Sequence, residues 1–149
     1  MFDIMKAIAG VASQGITCIK NADNPYFNSK YADLKTVVEA LKEPLKAAGL
    51  KYYFAPTEHT TDDGAKYMTC DLIVMDDKTS MPFSFPFTQS DPQKIGSALT
   101  YAKRYLLTTV FNVIAEEDDD GNAASGNTTK PVAKKKPTVM TDAPRPNFF

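Results

Sequence analysis

Between residues 94 and 105 the chain places Lys94, Gly96, Ser97, Thr100, Tyr101, Lys103, Arg104 and Tyr105. Three kinds of chemistry are interleaved in that stretch. Cations attract phosphates, flat rings accept stacked bases, and small residues let a sugar–phosphate chain come close. A surface for single-stranded nucleic acid needs all three. Stacking one base on an aromatic ring is worth roughly 1–3 kcal/mol, and each phosphate contact adds a salt-dependent term through counterion release. The plain alternative is an amphipathic helix whose tyrosines pack on a core while its Lys and Arg are solvated. A second stretch, Asn24-Pro25-Tyr26-Phe27-Asn28-Ser29-Lys30-Tyr31, holds the same ingredients in what reads as a loop. Four aromatic or basic side chains are unusual in a loop that only connects.

Catalytic chemistry finds little footing. The single histidine, His59, is expected in a surface loop beside Glu58, with Asp62 and Asp63 nearby. One loop histidine without a partner makes no Ser/His/Asp or Cys/His arrangement. There is no P-loop and no GxGxxG. Asp76 and Asp77 sit where a turn is expected, and acids are common in turns. The run Glu116 to Asp120 offers carboxylates to Mg²⁺, but adjacent acids at a helix end are more simply solvated charge. Cys18 and Cys70 are too few for a disulfide framework or a zinc site and read as small buried residues. The expectation is a protein that is not an enzyme and uses no metal or cofactor.

The chain has 149 residues, 43% hydrophobic and 11% aromatic. That suits one globular domain with a real core. No apolar run approaches the ~18 residues of a membrane span, and no basic leader precedes the first apolar stretch, so neither a membrane partner nor a signal peptide is expected. Together with the cysteine usage this points to the cytoplasm. The net charge of −1 hides a division. Acids and bases balance up to Ile114, the run Glu116–Asp120 is wholly acidic, and the last stretch carries Lys130, Lys134, Lys135, Lys136 and Arg145 against Asp142. A neutral average does not oppose polyanion binding, which depends on local charge.

Elements that position these residues follow from periodicity. Ile4, Ile8 and Val11 predict a helix within residues 1–20, ending near Gly15. NADNPYFNSKY reads as a loop. Leu34, Val37, Val38, Leu41, Leu45 and Ala48 predict a helix over 32–49, kinked at Pro44 and stopped by Gly49. LKYYFAPT, KYMTCDLIVMDD and TSMPFSFPFT predict three strands. The third alternates with Met81, Phe83, Phe85 and Phe87 on one face, and Pro82 and Pro86 assign it to an edge. TEHTTDDGA and Asp76-Asp77-Lys78 are the expected links. A last helix starts at Ser90-Asp91-Pro92 with Ile95, Leu99, Ala102, Leu106, Val110 and Val113 inward. Its outward row is then Lys94, Ser97, Tyr101, Arg104 and Thr108. Residues 123–149 read as a disordered Lys/Pro-rich tail. The fold class is α+β, with a three-stranded antiparallel meander packed on helices.

Three blocks, NPYFNSKYADLKTVVEALKEPLKAAGL, QKIGSALTYAKRYLLTTVFNV and EEDDDGN, occur in order over about residues 22–122. They resemble the ERF (essential recombination function) family of phage single-strand annealing proteins, and GSALTYAKRY is the specific part. The resemblance implies a β-β-β-α core; the domain itself is expected over residues 1–122. It also implies ATP-independent binding of single-stranded DNA and annealing of complementary strands in the bacterial host cytoplasm. Implied partners are further copies of the chain in a ring or helical filament, a 5′–3′ exonuclease and a single-strand DNA-binding protein. Lys30 and Tyr31 match the first block. Gly96, Ser97, Thr100, Tyr101, Lys103, Arg104 and Tyr105 match the second, and Asp118, Asp119 and Asp120 the third. Lys30, Lys94, Lys103 and Arg104 are then the expected phosphate contacts, with Tyr31, Tyr101 and Tyr105 stacking or shaping the groove. Lys103 and Arg104 point about 100° apart on a helix, so the two need not share a groove. The competing readings are a protein-interaction module that oligomerises through the same helix, and a metal nuclease built on the Asp run.

Overall fold

The computed structural model describes residues 2–88 and 91–117. The acidic residues 118–120 and the tail read over 123–149 lie outside them. Helix α1 (Phe2–Ala12) buries Ile4, Ile8 and Val11, the stripe its spacing demands. It ends before Gly15, which turns the chain at φ +65°. The rest of the stretch is not helical, because Thr17–Ile19 forms a short strand, β1. Its partner is Ile114–Glu116, the last strand described, paired in parallel with Cys18 opposite Ala115. β-branched Thr17, Ile19 and Ile114 favour the extended form. Their partners lie so far apart in sequence that local periodicity cannot show the pairing.

The segment read as the loop NADNPYFNSKY is a hairpin. Strand β2 (Ala22–Asn24) pairs antiparallel with β3 (Ser29–Tyr31), Asp23 facing Lys30 and Ala22 facing Tyr31. Its Asn, Asp and Pro content marks the turn at 25–28, and three-residue strands are too short to reveal a period. The hairpin is tied to the next helix by two reciprocal bonds. The Asn21 Nδ2 amide donates to Asp33 Oδ2 at 3.0 Å, and the Asp33 N–H donates to Asn21 Oδ1 at 3.0 Å.

Asp33 also caps helix α2 (Leu34–Ala47), accepting the Thr36 N–H at 2.8 Å. These bonds, Thr36's first and Asn21's after them, hold its carboxyl below the ordinary 3.8. A carboxyl lowered on folding stabilises fully above its unfolded value and loses that contribution as pH falls through the folded one. Its share of acid sensitivity is therefore confined to pH below about 4. Asp33→Ala is expected to cost about 1 kcal/mol near neutral pH, the usual loss of an N-cap, and to remove that low-pH component. Urea unfolding followed by circular dichroism at pH 7 and pH 3 checks both parts.

Helix α2 runs unbroken through Pro44, with Val37, Leu41 and Leu45 buried on its inner side. Gly49, at φ +69°, ends it in a Schellman motif: Gly49 N–H bonds the Lys46 carbonyl and Leu50 N–H bonds the Leu45 carbonyl. The chain then enters the meander β4 (Lys51–Thr60), β5 (Lys66–Met75) and β6 (Ser80–Phe87), in that spatial order and antiparallel throughout. Pro56, Pro82 and Pro86 all fall on the two edge strands, where a missing ladder donor is tolerated. The first link is shorter than TEHTTDDGA suggested. Strand pairing persists to Thr60 opposite Lys66, leaving only residues 61–65, closed by Thr61 N–H on the Ala65 carbonyl at 2.8 Å. In the second link Asp76 Oδ1 accepts the Lys78 and Thr79 N–H groups.

One face of the meander carries Cys70, Leu72, Val74 and Phe87 into the core. Against it lies helix α3 (Pro92–Val110), capped by Asp91 on the Gln93 N–H, with Pro92 in its first turn. Ala98, Ala102, Leu106 and Leu107 are buried; Ile95, Leu99 and Val110 pack more loosely. Phe111 caps the end, Asn112 adopts φ 51°, and Val113 leads into β7 (Ile114–Glu116). The architecture is α+β with a β-β-β-α core. An N-terminal helix, a hairpin and a two-stranded parallel sheet are added to it.

Candidate nucleic-acid interface

The inward row of α3 fixes what its other sides present. Lys94, Ser97, Tyr101, Arg104 and Thr108 recur at three–four spacing, one continuous stripe, with Lys94 and Ser97 exposed. Ser97 and Thr100 turn their hydroxyls back on the helix, to the Gln93 carbonyl at 3.4 Å and the Gly96 carbonyl at 3.1 Å. Both sit near the N-terminal part of the ridge.

Further along, Arg104 reaches toward the hairpin. Its guanidinium carbon lies 4.5 Å from the Tyr31 ring centroid, 5.4 Å from Tyr101 and 5.5 Å from Tyr105. Tyr101 and Tyr105 stack on each other at 4.2 Å. Phe85 of β6 supports both from the sheet, at 6.3 and 6.1 Å. Burial, and after it the hydrogen bond to Tyr105, pushes the Tyr101 phenol up to about 12, so it stays neutral at any physiological pH. Among the described residues no carboxylate forms an ion pair with Arg104. The rings fix the guanidinium without neutralising it. Each such contact is worth about 0.5–2 kcal/mol, and the donors of the planar fork remain suited to a phosphate.

Lys103 goes elsewhere. Its ammonium lies 5.5 Å from the Phe54 centroid, over β4, on the opposite flank of α3 from Phe85 of β6. The 100° step between neighbouring helix residues separates it from Arg104. Lys30 is exposed on β3, next to Tyr31 but on the other side of the strand. The two blocks that carry Tyr31 and Arg104 thus meet in space, while Lys30, Lys94 and Lys103 stand around the cluster rather than in it. Sequence reasoning missed Phe85 as the support beneath the tyrosines. The alternation of β6 puts it on one face with Met81, Phe83 and Phe87 but cannot say which helical residue it meets.

Other candidates resolve into structure. His59 is not in a loop: it lies within β4, its Nε2 2.9 Å from the Thr69 hydroxyl and its ring stacked on Tyr67 at 4.9 Å. Alternating Thr57 and His59 opposite Thr69 and Tyr67 extend the ladder there. Burial raises both thiols, Cys18 and Cys70, which makes them poor nucleophiles. Among the described residues no group of His, Cys, Asp and Glu is placed to hold a metal ion. Glu117 forms an ion pair with Lys20 at 2.7 Å. No helix among them is long and apolar enough to cross a membrane.

A model of the ERF superfamily matches residues 4–144. The chain belongs to the ERF superfamily. No curated protein and no solved structure matches it. The match takes in α1 as well as the three blocks that carried the resemblance, and membership associates this ERF protein with phage recombination. The Arg104–tyrosine cluster of the ERF chain is thus a cation-bearing aromatic surface in a protein of a DNA-recombination family.

Proposed function

We propose that this ERF protein binds single-stranded DNA along α3 and the β2–β3 hairpin and anneals complementary strands without ATP. The observation that carries this reading is Arg104, held by Tyr31, Tyr101 and Tyr105 and paired with no carboxylate among the described residues. A strand whose phosphates lie on Arg104, with Lys94 and Lys30 as outlying contacts, keeps its Watson–Crick edges free. Free edges are what a complementary strand needs. Ser97, Thr100 and Gly96 let the backbone approach. Lys103 adds attraction from the β4 flank. Several subunits in a ring or filament sum weak grips into avidity, in the host cytoplasm beside a 5′–3′ exonuclease and a single-strand DNA-binding protein.

Complementary oligonucleotides mixed with protein and no ATP test this. Pairing faster than the spontaneous rate, with rings or filaments in electron micrographs, is expected. An unchanged rate, with no preference for single strands in gel shifts, overturns it.

Gly96 gives a sharper check. A Cβ added there meets nothing within 4 Å, so nothing inside the described chain requires glycine. Gly96→Ala is expected to stabilise α3 by about 0.5–1 kcal/mol. The same change should weaken DNA binding, because the added methyl stands where the strand passes. A more stable protein with weaker binding is the expected pair of results; unchanged affinity takes the strand off that part of the helix.

A further inference from the structure

We propose that the tip of the β2–β3 hairpin selects unpaired bases, Tyr26 and Phe27 stacking on them and the cleft beside Phe27 admitting one. This rests on the single-strand reading above and adds to it the element that tells single strands from duplex.

Tyr26 is 86% and Phe27 71% exposed, against 51% for Tyr53, the next most exposed large apolar side chain among the described residues. Adjacent rings so far out of a fold mark a contact surface. The exposure is built, not frayed. The Tyr26 N–H donates to Asn24 Oδ1 at 3.0 Å, the Ser29 N–H donates to the Phe27 carbonyl at 2.6 Å, and Pro25 fixes its own φ between them. A held turn presents both rings with little backbone entropy left to lose on binding.

Beside Phe27 lies a cleft of about 430 Å³, walled by Asp23, Asn24, Asn28, Lys30 and Glu117. It has an aromatic side, two amides able to bond the sugar or a base atom outside the pairing edge, and room for a base with its sugar. Its charges balance: Asp23 faces Lys30 across the hairpin, and Glu117 is held by Lys20. A cleft without net positive charge draws little strength from phosphates beyond the Lys30 contact. Its attraction is stacking and hydrogen bonding, which bases already stacked and paired in a duplex cannot supply. The Arg104 surface is the reverse: it grips phosphates, which both forms of DNA display. Phe27 lies four residues before Tyr31, at most about 13 Å even for fully extended chain, close enough for a strand held at Arg104 to reach the tip with its next nucleotides.

The test uses the full chain carrying Tyr26→Ala and Phe27→Ala together, with Tyr26→Phe and Phe27→Tyr as the conservative pair. Fluorescence anisotropy is read with a labelled oligothymidylate and with a blunt duplex, each over a salt series. The alanine pair is expected to weaken single-strand binding about tenfold or more, leave the salt slope and duplex affinity unchanged, and so erode selectivity; the conservative pair should retain it. Wild-type affinity and selectivity in the alanine pair, while Arg104→Ala still binds weakly, overturns the tip's role and leaves the parent reading standing. No single-strand preference in the wild-type protein overturns the parent reading itself. A changed assembly state by light scattering with unchanged affinity per subunit makes the tip a subunit contact and overturns the proposal.

Discussion

Arg104→Ala is expected to weaken single-strand binding about 10- to 100-fold, the worth of a charge-assisted bond to phosphate. It should also reduce the slope of log K against log salt by about 0.7 for each phosphate released per subunit. Both changes follow from a guanidinium with three rings around it and no described acid beside it. Had a carboxylate been in contact, the pair would already be neutral and its loss would barely change the slope. Arg104→Lys should keep most of the slope and lose affinity, since an ammonium lacks the planar fork that stacks on Tyr31 and grips two oxygens at once. Lys103→Ala is the control within the same helix. Its ammonium faces Phe54 on the other flank, so its effect should be the smaller of the two. Folding should survive Arg104→Ala, because the change removes cation–π contacts, about 0.5–2 kcal/mol each, and no buried core side chain. Anisotropy titrations at three or more salt concentrations read all of this. Equal slopes for Arg104→Ala and the unaltered protein would remove Arg104 from the phosphate path.

The largest effect on stability is expected from Phe111→Ala, about 3–5 kcal/mol. Native domains hold only about 5–15 kcal/mol in total, so the variant should sit near the edge of folding. Phe111 is fully buried and caps α3, its N–H on the Leu107 carbonyl at 3.2 Å. The next residue, Asn112, takes the left-handed conformation that asparagine tolerates, and its Nδ2 donates to the Ala12 carbonyl at the end of α1. Val113 then delivers the chain to β7 beside β1. Truncating Phe111 opens a cavity where α3, α1 and the parallel pair converge. Chemical unfolding monitored by far-ultraviolet circular dichroism measures the loss. A cost under about 1.5 kcal/mol would mean the site collapses around the gap or is less packed than its burial indicates.

How much of this was readable from sequence depends on range. Helix α3 announced itself at both levels: Asp91-Pro92 as a start, and apolar residues at three–four spacing as a buried side. Gly49 as the stop of α2 and the inward row Met81, Phe83, Phe85 and Phe87 of β6 were equally local signals. What escaped was non-local or short. β1 is three residues long and finds its partner only when Ile114 is brought beside Thr17. The β2–β3 hairpin has too few residues for a period, and its polar turn chemistry masked the pairing. Around His59 the Asp62-Asp63-Gly64 turn signal outweighs the alternation that continues the strand, so the sequence alone reads as a loop where β4 runs on. At the interface, spacing alone put Arg104 and Tyr101 on one side of a helix. That Tyr31, on a separate element, would lie beneath the guanidinium needed the tie between Asn21 and Asp33 that fixes the hairpin against α2. No local pattern encodes that geometry.

A structure of the protein with a bound oligothymidylate decides the central claim most directly. Phosphate oxygens within about 3 Å of the Arg104 guanidinium, with base edges turned outward and unpaired, are the result this account predicts. A strand running elsewhere, or Arg104 seated on a neighbouring subunit's carboxylate while DNA lies apart from α3, would contradict it.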